Sequence, residues 1–499
     1  MSQSDVADSR RRKTFLGHPR GLATLFFTEM WERFSFYGMR ALLVLYLVAA
    51  PGAEGKPGPG LGFSTGDAAA VYGTYLALVY VSPIIGGWIA DRIIGPRRAV
   101  LYGGIVIAAG HFSMAIPIDA LFWVGLLLIA IGTGLLKPCI STMVGGLYEG
   151  DSRSQRDAGF AIFYMGINLG GFLAPLVVSL FSNGLGWHWG FACAGIGMVF
   201  GIVQYVLGSG NLTGIGEEAP NPAGREIRIR ALVIGVIGLI ALAIVIWIYS
   251  QLTGGFSITK VSDVLGIIIV LVPVIYFIRL FRAKNITDVE RSRVGAFLFL
   301  FVGAVAFWMI FEQAGSTMNV FAEDHTDTSV FGWSMPAPFL QSINPAFIII
   351  FSPIFAWLWM RLADRAPSTP VKFALGLFGI GLSFWIMVIP GMSADNGYTV
   401  TVWWLVLVYL IQTWSELVLS PVGLSATSRL APRGMESQLM ALWFLATSVG
   451  NVIGGQAARA LVGFGFGPYF AIMGGVAIVV AIGFTACIPL IKRLMRGLD

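Results

Sequence analysis

Long runs of apolar residues, separated by short polar connections, recur along the whole chain of 499 residues. About 20 apolar residues are enough for an α-helix to cross the hydrocarbon core of a bilayer. The pattern predicts an all-α polytopic membrane protein with fourteen transmembrane helices. We place these helices at residues 21–50, 68–94, 98–118, 120–146, 158–183, 186–209, 229–251, 262–281, 294–320, 336–361, 371–392, 399–428, 434–462 and 466–491.

The composition supports a membrane protein. Hydrophobic residues make up 56% of the chain and charged residues only 12%, whereas soluble domains contain about 25% charged residues. Cys139, Cys193 and Cys487 all fall in apolar segments, so we expect no disulfide framework, metal site or cofactor. The first apolar run is too long for a cleavable signal peptide and is expected to remain as a helix.

The basic residues are distributed asymmetrically between the predicted connections. Nearly all of the 32 lysines and arginines lie at the termini or in alternate connections, whereas the opposite loops hold Lys56 and Lys260. Cytoplasmic loops of membrane proteins carry this excess of basic residues, so both termini are predicted to be cytoplasmic. The net charge of +6 is therefore a topology signal, and no nucleic-acid partner is expected.

Seven charged residues lie well inside the predicted membrane helices, away from the helix ends. Each costs about 2.5–3.5 kcal/mol at the centre of a bilayer, so such residues face a water-filled cavity or partner charges. Glu29 and Arg33 are four residues apart on the first helix, which makes their side chains neighbours. We interpret the set as the charged lining of a transport pathway, with Arg33, Arg40 and Lys137 as cations and Glu29, Glu32, Glu312 and Glu416 as carboxylates.

The first of these helices contains the best candidate for a proton-coupling site. Burial disfavours the charged form of a carboxyl group and a neighbouring cation favours it, so the arrival of a substrate can change the balance. We therefore expect Glu29 or Glu32 to bind a proton and so release Arg33 for a substrate.

The chain repeats itself at a nearly constant offset. Four landmarks recur 273, 280, 283 and 283 residues later, which predicts two similarly oriented six-helix halves at 14–210 and 292–494. Parallel repeats of this kind are the arrangement of major facilitator transporters. The remaining segment, 211–291, is predicted to hold a flexible linker over 211–224 and an inserted, peripheral transmembrane hairpin. The landmark pairs are Asp91 and Asp364, Glu32 and Glu312, Pro138 and Pro421, and Asn168 and Asn451.

Several motifs resemble those of one transporter family. The stretch Gly87-x-x-x-Asp91-Arg92-x-x-Gly95-x-Arg97-Arg98 resembles the cytoplasmic loop motif of the major facilitator superfamily. Glu29-x-x-Glu32-Arg33-Phe34 and the segment from Phe163 to Gly170 resemble motifs of its proton-dependent oligopeptide transporters. Lys137-Pro138, Glu312-Gln313 and the stretch from Glu416 to Gly423 extend the match along the chain. Phe36 departs from the family pattern, which has tyrosine at this position.

The resemblance implies roles for these residues. Arg33 and Lys137 would attract the carboxylate of a peptide, and Glu416 its ammonium group. Glu312 would pair with Arg40 as a gate and take part in proton coupling, while Asp91 and Arg92 would form a cytoplasmic latch. The charged residues could instead form structural ion pairs, and the aromatic residues could be packing residues. Further candidate substrate-binding residues are Tyr37, Arg40, Tyr75, Tyr164, Asn168, Asn344, Ser420 and Trp443.

These features together predict proton-coupled import of di- and tripeptides across a bacterial inner membrane by a monomer that needs no cofactor besides the coupling proton. A family relative that carries nitrate or an amino-acid derivative is the alternative, and Glu416 argues against a plain anion. An intramembrane enzyme would need a serine–histidine pair or a histidine cluster, and histidines 18, 111, 188 and 325 are scattered. The duplicated halves favour a carrier over a channel.

Overall fold

The computed structural model of the protein describes residues 14–55, 57–283, 286–362 and 365–498. Of the residues singled out above, Lys56 and Asp364 lie outside these ranges, so the repeat partner of Asp91 is not compared further. The described chain is almost entirely helical, and its few strands contain two residues each. Pairs form between β1 (Thr14–Phe15) and β2 (His18–Pro19), β3 (Thr326–Asp327) and β6 (Val400–Thr401), and β4 (Ser329–Val330) and β5 (Trp333–Ser334).

Seventeen helices of eight or more residues account for most of the described chain. Their bounds are α1 Arg20–Val48, α2 Thr65–Ile89, α3 Pro96–Met114, α4 Asp119–Leu147, α5 Arg153–Leu185, α6 Trp187–Gly208, α7 Arg225–Leu252, α8 Ile258–Phe281, α9 Asp288–Phe311, α10 Thr317–His325, α11 Ile343–Leu362, α12 Thr369–Ile386, α13 Val388–Asp395, α14 Trp403–Leu430, α15 Glu436–Leu461, α16 Phe466–Ala486 and α17 Ile488–Met495.

The predicted membrane spans coincide with these helices. Within the described ranges, twelve helical segments are long and apolar enough to cross a bilayer. The other two predicted spans correspond to α1 and α3, which have 29 and 19 residues. Three predicted spans are each divided between two α-helices, with breaks after Phe311, after Ile386 and after Ala486. Pro390 and Pro489 lack the N–H that would continue the helix across the last two breaks.

Local sequence explains where several helices begin. The first backbone N–H groups of a helix need acceptors outside the helix. The hydroxyl oxygens of Ser64, Ser152 and Ser257 accept from the backbone three residues later, at the starts of α2, α5 and α8. At α9, the Thr287 hydroxyl accepts from the backbone of Glu290, whose carboxylate accepts from the backbone of Thr287. This reciprocal capping box fixes the start of the helix.

The described residues form two compact units. One contains the chain up to Leu42 together with Glu54–Gly58 and Val81–Tyr249, and the other contains Leu43–Ala53, Pro59–Tyr80 and the chain from Ser250 onward. The boundaries between the units cut through α1, α2 and α7. The boundaries of the two units therefore differ from those predicted at 210 and 291. The division into 14–210, 211–291 and 292–494 remains a prediction.

Helices α3 and α4 of the first unit approach each other through glycines. Gly103 and Gly110 lie seven residues apart on α3, and Gly125 and Gly132 repeat that spacing on α4. A Cβ added at Gly132 would lie 2.6 Å from the carbonyl oxygen of Gly103, and one at Gly125 would lie 2.6 Å from that of Gly110. Small residues permit this close approach of helix backbones in membranes.

Replacing Gly132 with valine is expected to destabilise the first unit. The new side chain would push against backbone atoms that cannot move aside, and overpacking of this kind costs about 1–3 kcal/mol. Thermal unfolding in detergent should show a lower midpoint for Gly132→Val. Gly235→Val on α7 is the matched control, because no atom lies within 4 Å of its added Cβ. Equal midpoints for the two variants would contradict tight packing at Gly132.

The two helices of the inserted hairpin differ in their packing. In the most apolar part of α7 no residue is buried, whereas one third of the residues in the most apolar part of α8 are buried. The hydroxyl of Ser262 on α8 donates to Thr74 of α2 at 2.6 Å. On α15, Arg459 Nε lies 2.8 Å from Oδ1 of Asp67 on α2, and Arg459 Nη1 lies 2.9 Å from Oδ1 of Asp263 on α8. Helix α7 is therefore peripheral as predicted, but α8 is fastened to α2 and α15.

Replacing Asp263 with asparagine should loosen this attachment. Ion pairs at this degree of exposure contribute up to about 1 kcal/mol, so amide hydrogen exchange at the start of α8 should accelerate by no more than about fivefold. Asp288→Asn serves as the control, because the Asp288 side chain is 98% exposed in its pair with Arg291. Unchanged exchange in α8 of the Asp263 variant would show that the pair contributes nothing to its docking.

Candidate functional site

The charged residues of α1 form one buried cluster. Glu29, Glu32 and Arg33 are each less than 5% exposed. Arg33 donates to Glu32 through Nη2 at 2.7 Å and also through Nε, and this Nε lies 3.3 Å from Glu29 Oε1. The predicted contact between Glu29 and Arg33 is confirmed. The contact of Arg33 with Glu32 was not predicted from spacing, because consecutive side chains on a helix usually diverge.

The cluster leaves one carboxylate oxygen unsatisfied. Glu29 Oε2 is buried and has no hydrogen-bond partner in the described part of the chain. An unsatisfied buried acceptor carries a large desolvation penalty. Lys137 lies deep in α4, is half-buried, and acts electrostatically on Glu29. Two carboxylates thus interact with two cations, and the spare oxygen of Glu29 is a position that a proton could occupy.

Aromatic rings flank the two arginines of α1. The guanidinium of Arg33 lies 5.0 Å from the ring centre of Phe36, and that of Arg40 lies 5.7 Å from the ring centre of Tyr37. Cation–π contacts at these distances are favourable, more so where water is excluded. Phe36 therefore offers Arg33 the face of an aromatic ring but no hydroxyl group. The position at which the sequence departs from the family pattern thus lies beside the cluster.

Helix α5 is held close to the cluster by two glycines. A Cβ added at Gly166 would meet Phe26, and one at Gly170 would lie 3.0 Å from Cβ of Arg33. On the same helix, the side-chain amide of Asn168 donates to the backbone oxygen of Tyr164 at 3.0 Å. The predicted hydrogen-bonding residue Asn168 thus belongs to the first unit, and its donor is engaged within its own helix.

The second unit contains the other predicted charge, Glu416. The side-chain nitrogen of Asn344 donates to Glu416 Oε2 at 3.2 Å and to Thr413 Oγ1 at 3.0 Å. The Thr413 hydroxyl in turn donates to the backbone oxygen of Tyr409 at 2.7 Å. Asn344 and Glu416 were predicted, whereas Thr413 was missed. Its position three residues before Glu416 on α14 places both on one helix face, which is a usable sequence signal. Ser420 follows one turn later.

Glu312 lies where the helix between α9 and α10 is interrupted. It begins a short 3-10 turn, Glu312–Gly315, and is 3% exposed. The side-chain oxygen of Gln313 accepts hydrogen bonds at 2.9 Å from Ser316 and from Thr317, which hold the turn. Discontinuous helices of this kind form ion and substrate sites in transporters. The pairing of Glu312 with Arg40 remains a prediction.

Two predicted aromatic residues are buried within the second unit. Tyr75 and Trp443 are 5% and 4% exposed. The Trp443 ring lies 6.1 Å from that of Phe373, and a Cβ at Gly423 would overlap it. Trp443 has the environment of a packing residue, which was one of the two interpretations of its sequence position.

The predicted latch residues contact the linker. Asp91 and Arg92 lie in a short π-helical turn, and their backbone oxygens accept hydrogen bonds from Asn221 at 3.0 Å and Ala223 at 2.9 Å. Arg97 Nη1 lies 2.8 Å from Glu217 Oε1. These contacts hold part of the predicted linker over 211–224 against the turn that follows α2, which its composition did not indicate.

Comparisons with known proteins agree with the motifs. Residues 97–467 match the PTR2 model of the POT family. The chain is 44% identical to the uncharacterised transporter YclF of Bacillus subtilis, over 100% of this chain and 99% of that protein. It is 42% identical to a di-/tripeptide transporter of Lactococcus lactis subsp. lactis, over 95% and 96%.

Solved structures show the same fold. A crystal structure of a peptide transporter POT in complex with sulfate matches with a TM-score of 0.92 and 44% identity, over 100% of both chains. A POT family transporter in complex with 5-aminolevulinic acid matches with a TM-score of 0.89 and 37% identity, over 97% of this chain and 99% of that one. The protein is therefore an all-α membrane transporter of the major facilitator fold and belongs to the POT family.

Proposed function

We propose that the protein imports di- and tripeptides together with protons by alternating access. The observation that carries this proposal is the opposite sign of the two charged sets. Arg33 and Lys137 provide cations in the first unit, and Glu416 provides a carboxylate in the second. A peptide zwitterion carries a carboxylate at one end and an ammonium group at the other, so the sets match its two ends.

The carboxylate end of the peptide would be bound by the first unit. Arg33 is already paired with Glu29 and Glu32, so it can bind a second carboxylate only at the expense of those contacts. Protonation of Glu29 or Glu32 removes one negative charge from the cluster and makes Arg33 available. Peptide binding and proton binding then favour each other, which is the requirement for coupled transport.

The ammonium end would be bound by Glu416. Hydrogen bonds from Asn344 to Glu416 and Thr413 restrain the carboxylate to one orientation. A restrained carboxylate loses little side-chain entropy on binding an ammonium group. A charge-assisted hydrogen bond to that group is roughly twice as strong as a neutral one.

One observation favours a second candidate substrate. The solved relative bound to 5-aminolevulinic acid holds a compound with one amino and one carboxyl group. Such an amino-acid derivative carries the same two charged ends as a peptide. The proposed ends therefore do not by themselves separate the two substrate classes, and competition between them must be measured.

The orientation and assembly are proposed on other grounds. The basic residues at both ends of the chain support cytoplasmic termini in a bacterial inner membrane. Both oppositely charged sets lie within one chain, which supports a monomer as the transporting species.

Uptake into proteoliposomes under an inward proton gradient tests the function. We expect labelled dialanine to accumulate above its external concentration and trialanine to compete with it, whereas nitrate should not. Stronger competition by 5-aminolevulinic acid than by trialanine would favour the second candidate. Failure to accumulate any of these compounds, or equal competition by nitrate, would overturn the peptide proposal. Uphill accumulation would also exclude a channel.

A further inference from the structure

A groove runs along α1 and α6 on the outside of the first unit. Its wider part has a volume of about 740 Å³ and begins at Arg20, and a second part of about 360 Å³ continues it. Trp31 and Phe200 line both parts, and their ring centres are 5.4 Å apart. Phe200 and Leu207 of α6 are 53% and 80% exposed, so this side of a membrane helix faces lipid.

The groove changes from polar to apolar along its length. Four polar residues, Arg20, Thr24, Gln204 and Asn211, line the wider part at the end where α1 begins. Every residue that lines the second part is apolar. From Arg20 to Phe34, α1 rises about 21 Å at about 1.5 Å per residue. This length exceeds one half of a hydrocarbon core of about 30 Å.

The polar end of the groove carries an exposed positive charge. Arg20 is exposed, and in the described ranges no carboxylate lies within ion-pair distance of it. The first turn of α1 contains no acidic residue. The Thr28 hydroxyl donates to the backbone oxygen of Thr24 at 2.7 Å and lies 3.1 Å from the side-chain oxygen of Gln204. The polar end therefore offers an exposed cation beside polar side chains.

We propose that this groove binds one anionic glycerophospholipid, with its phosphate at Arg20 and an acyl chain past Trp31 into the apolar part. The positive charge selects an anionic head group, and the exposed apolar continuation selects a molecule with a hydrocarbon chain. A basic residue at a membrane surface contributes about 1 kcal/mol to anionic lipid binding, which corresponds to about a fivefold difference in affinity.

Native mass spectrometry of the full-length protein in detergent tests the site. Phosphatidylglycerol and phosphatidylcholine with identical acyl chains are added to separate samples. We expect the unaltered protein to bind phosphatidylglycerol about fivefold more tightly. Arg20→Gln should abolish this preference and keep phosphatidylcholine binding. Ile196→Trp, which fills the apolar part, should weaken both lipids. Arg225→Gln and Val206→Trp change exposed residues outside the groove and should behave as the unaltered protein.

Three results would overturn the proposal. An unchanged preference in Arg20→Gln would show that another surface selects the head group. Equal competition by glycerophosphoglycerol, which has no acyl chains, would identify a site for a free anion. A lipid-free dimer that Ile196→Trp disrupts would show that the groove is covered by a second copy of the chain. None of these results depends on peptide transport, so the proposed function is tested separately.

Discussion

Glu416→Gln is expected to lose most of its affinity for peptides with a free amino end. Glutamine keeps the shape of the side chain and can still accept the hydrogen bond from Asn344, whose donor lies 3.2 Å from Glu416 Oε2. It removes the negative charge that would bind an ammonium group. Loss of one partner of a buried, hydrogen-bonded charge pair costs about 2–5 kcal/mol, so affinity should fall by at least about 30-fold.

Acetylated peptides make this prediction specific. N-acetyl-dialanine has no ammonium group, so it should bind weakly to the unaltered protein and about equally to both proteins. Binding can be measured by tryptophan fluorescence or calorimetry on protein in detergent. Glu149→Gln changes a carboxylate that lies exposed in the connection after α4 and is the control. An equal loss for the acetylated peptide would mean that Glu416 supports the fold of α14 rather than the ammonium group.

The membrane helices and the charged set could both be predicted from sequence for the same physical reason. A helix that crosses the hydrocarbon core must be long and apolar. An ionisable residue within such a helix is energetically costly, which indicates a functional role. Glu29, Glu32 and Arg33 were identified on this basis before their contacts were known. What the helical spacing did not reveal is that Arg33 bends back to its neighbour Glu32, because a long flexible side chain is not confined to helical neighbours.

The features that sequence reasoning missed depend on side chains far apart in the chain or on local hydrogen bonding. The helix break at Glu312 occurs within an apolar stretch and is stabilised by hydrogen bonds to Gln313. The hydropathy of the sequence therefore does not reveal this break. The linker over 211–224 has the composition of a flexible segment. Its contacts join Asn221 to Asp91, 130 residues earlier, and composition carries no information about such pairs.

Glu29→Gln and Glu32→Gln are each expected to abolish proton-driven accumulation of peptide. A difference of one pH unit provides about 1.4 kcal/mol for each coupled proton, enough for about tenfold accumulation at zero membrane potential. Glutamine cannot take up the proton, so the accumulation ratio of either variant should fall to about one. Glu29 has a buried oxygen without a partner in the described residues, and Glu32 binds Arg33 through both oxygens, so each occupies a position where a proton changes the cluster.

Exchange of labelled for unlabelled peptide at equal pH separates coupling from transport itself. This exchange requires the substrate-bound protein to change conformation but requires no net proton movement, so both variants should retain it. Glu149→Gln should retain exchange and accumulation alike, because its carboxylate lies outside the cluster. Full accumulation by both variants would assign the coupling proton to a residue outside this cluster, with Glu312 as the next candidate. Loss of exchange together with accumulation would instead mean that the two carboxylates are needed to hold Arg33 in place, whatever their protonation.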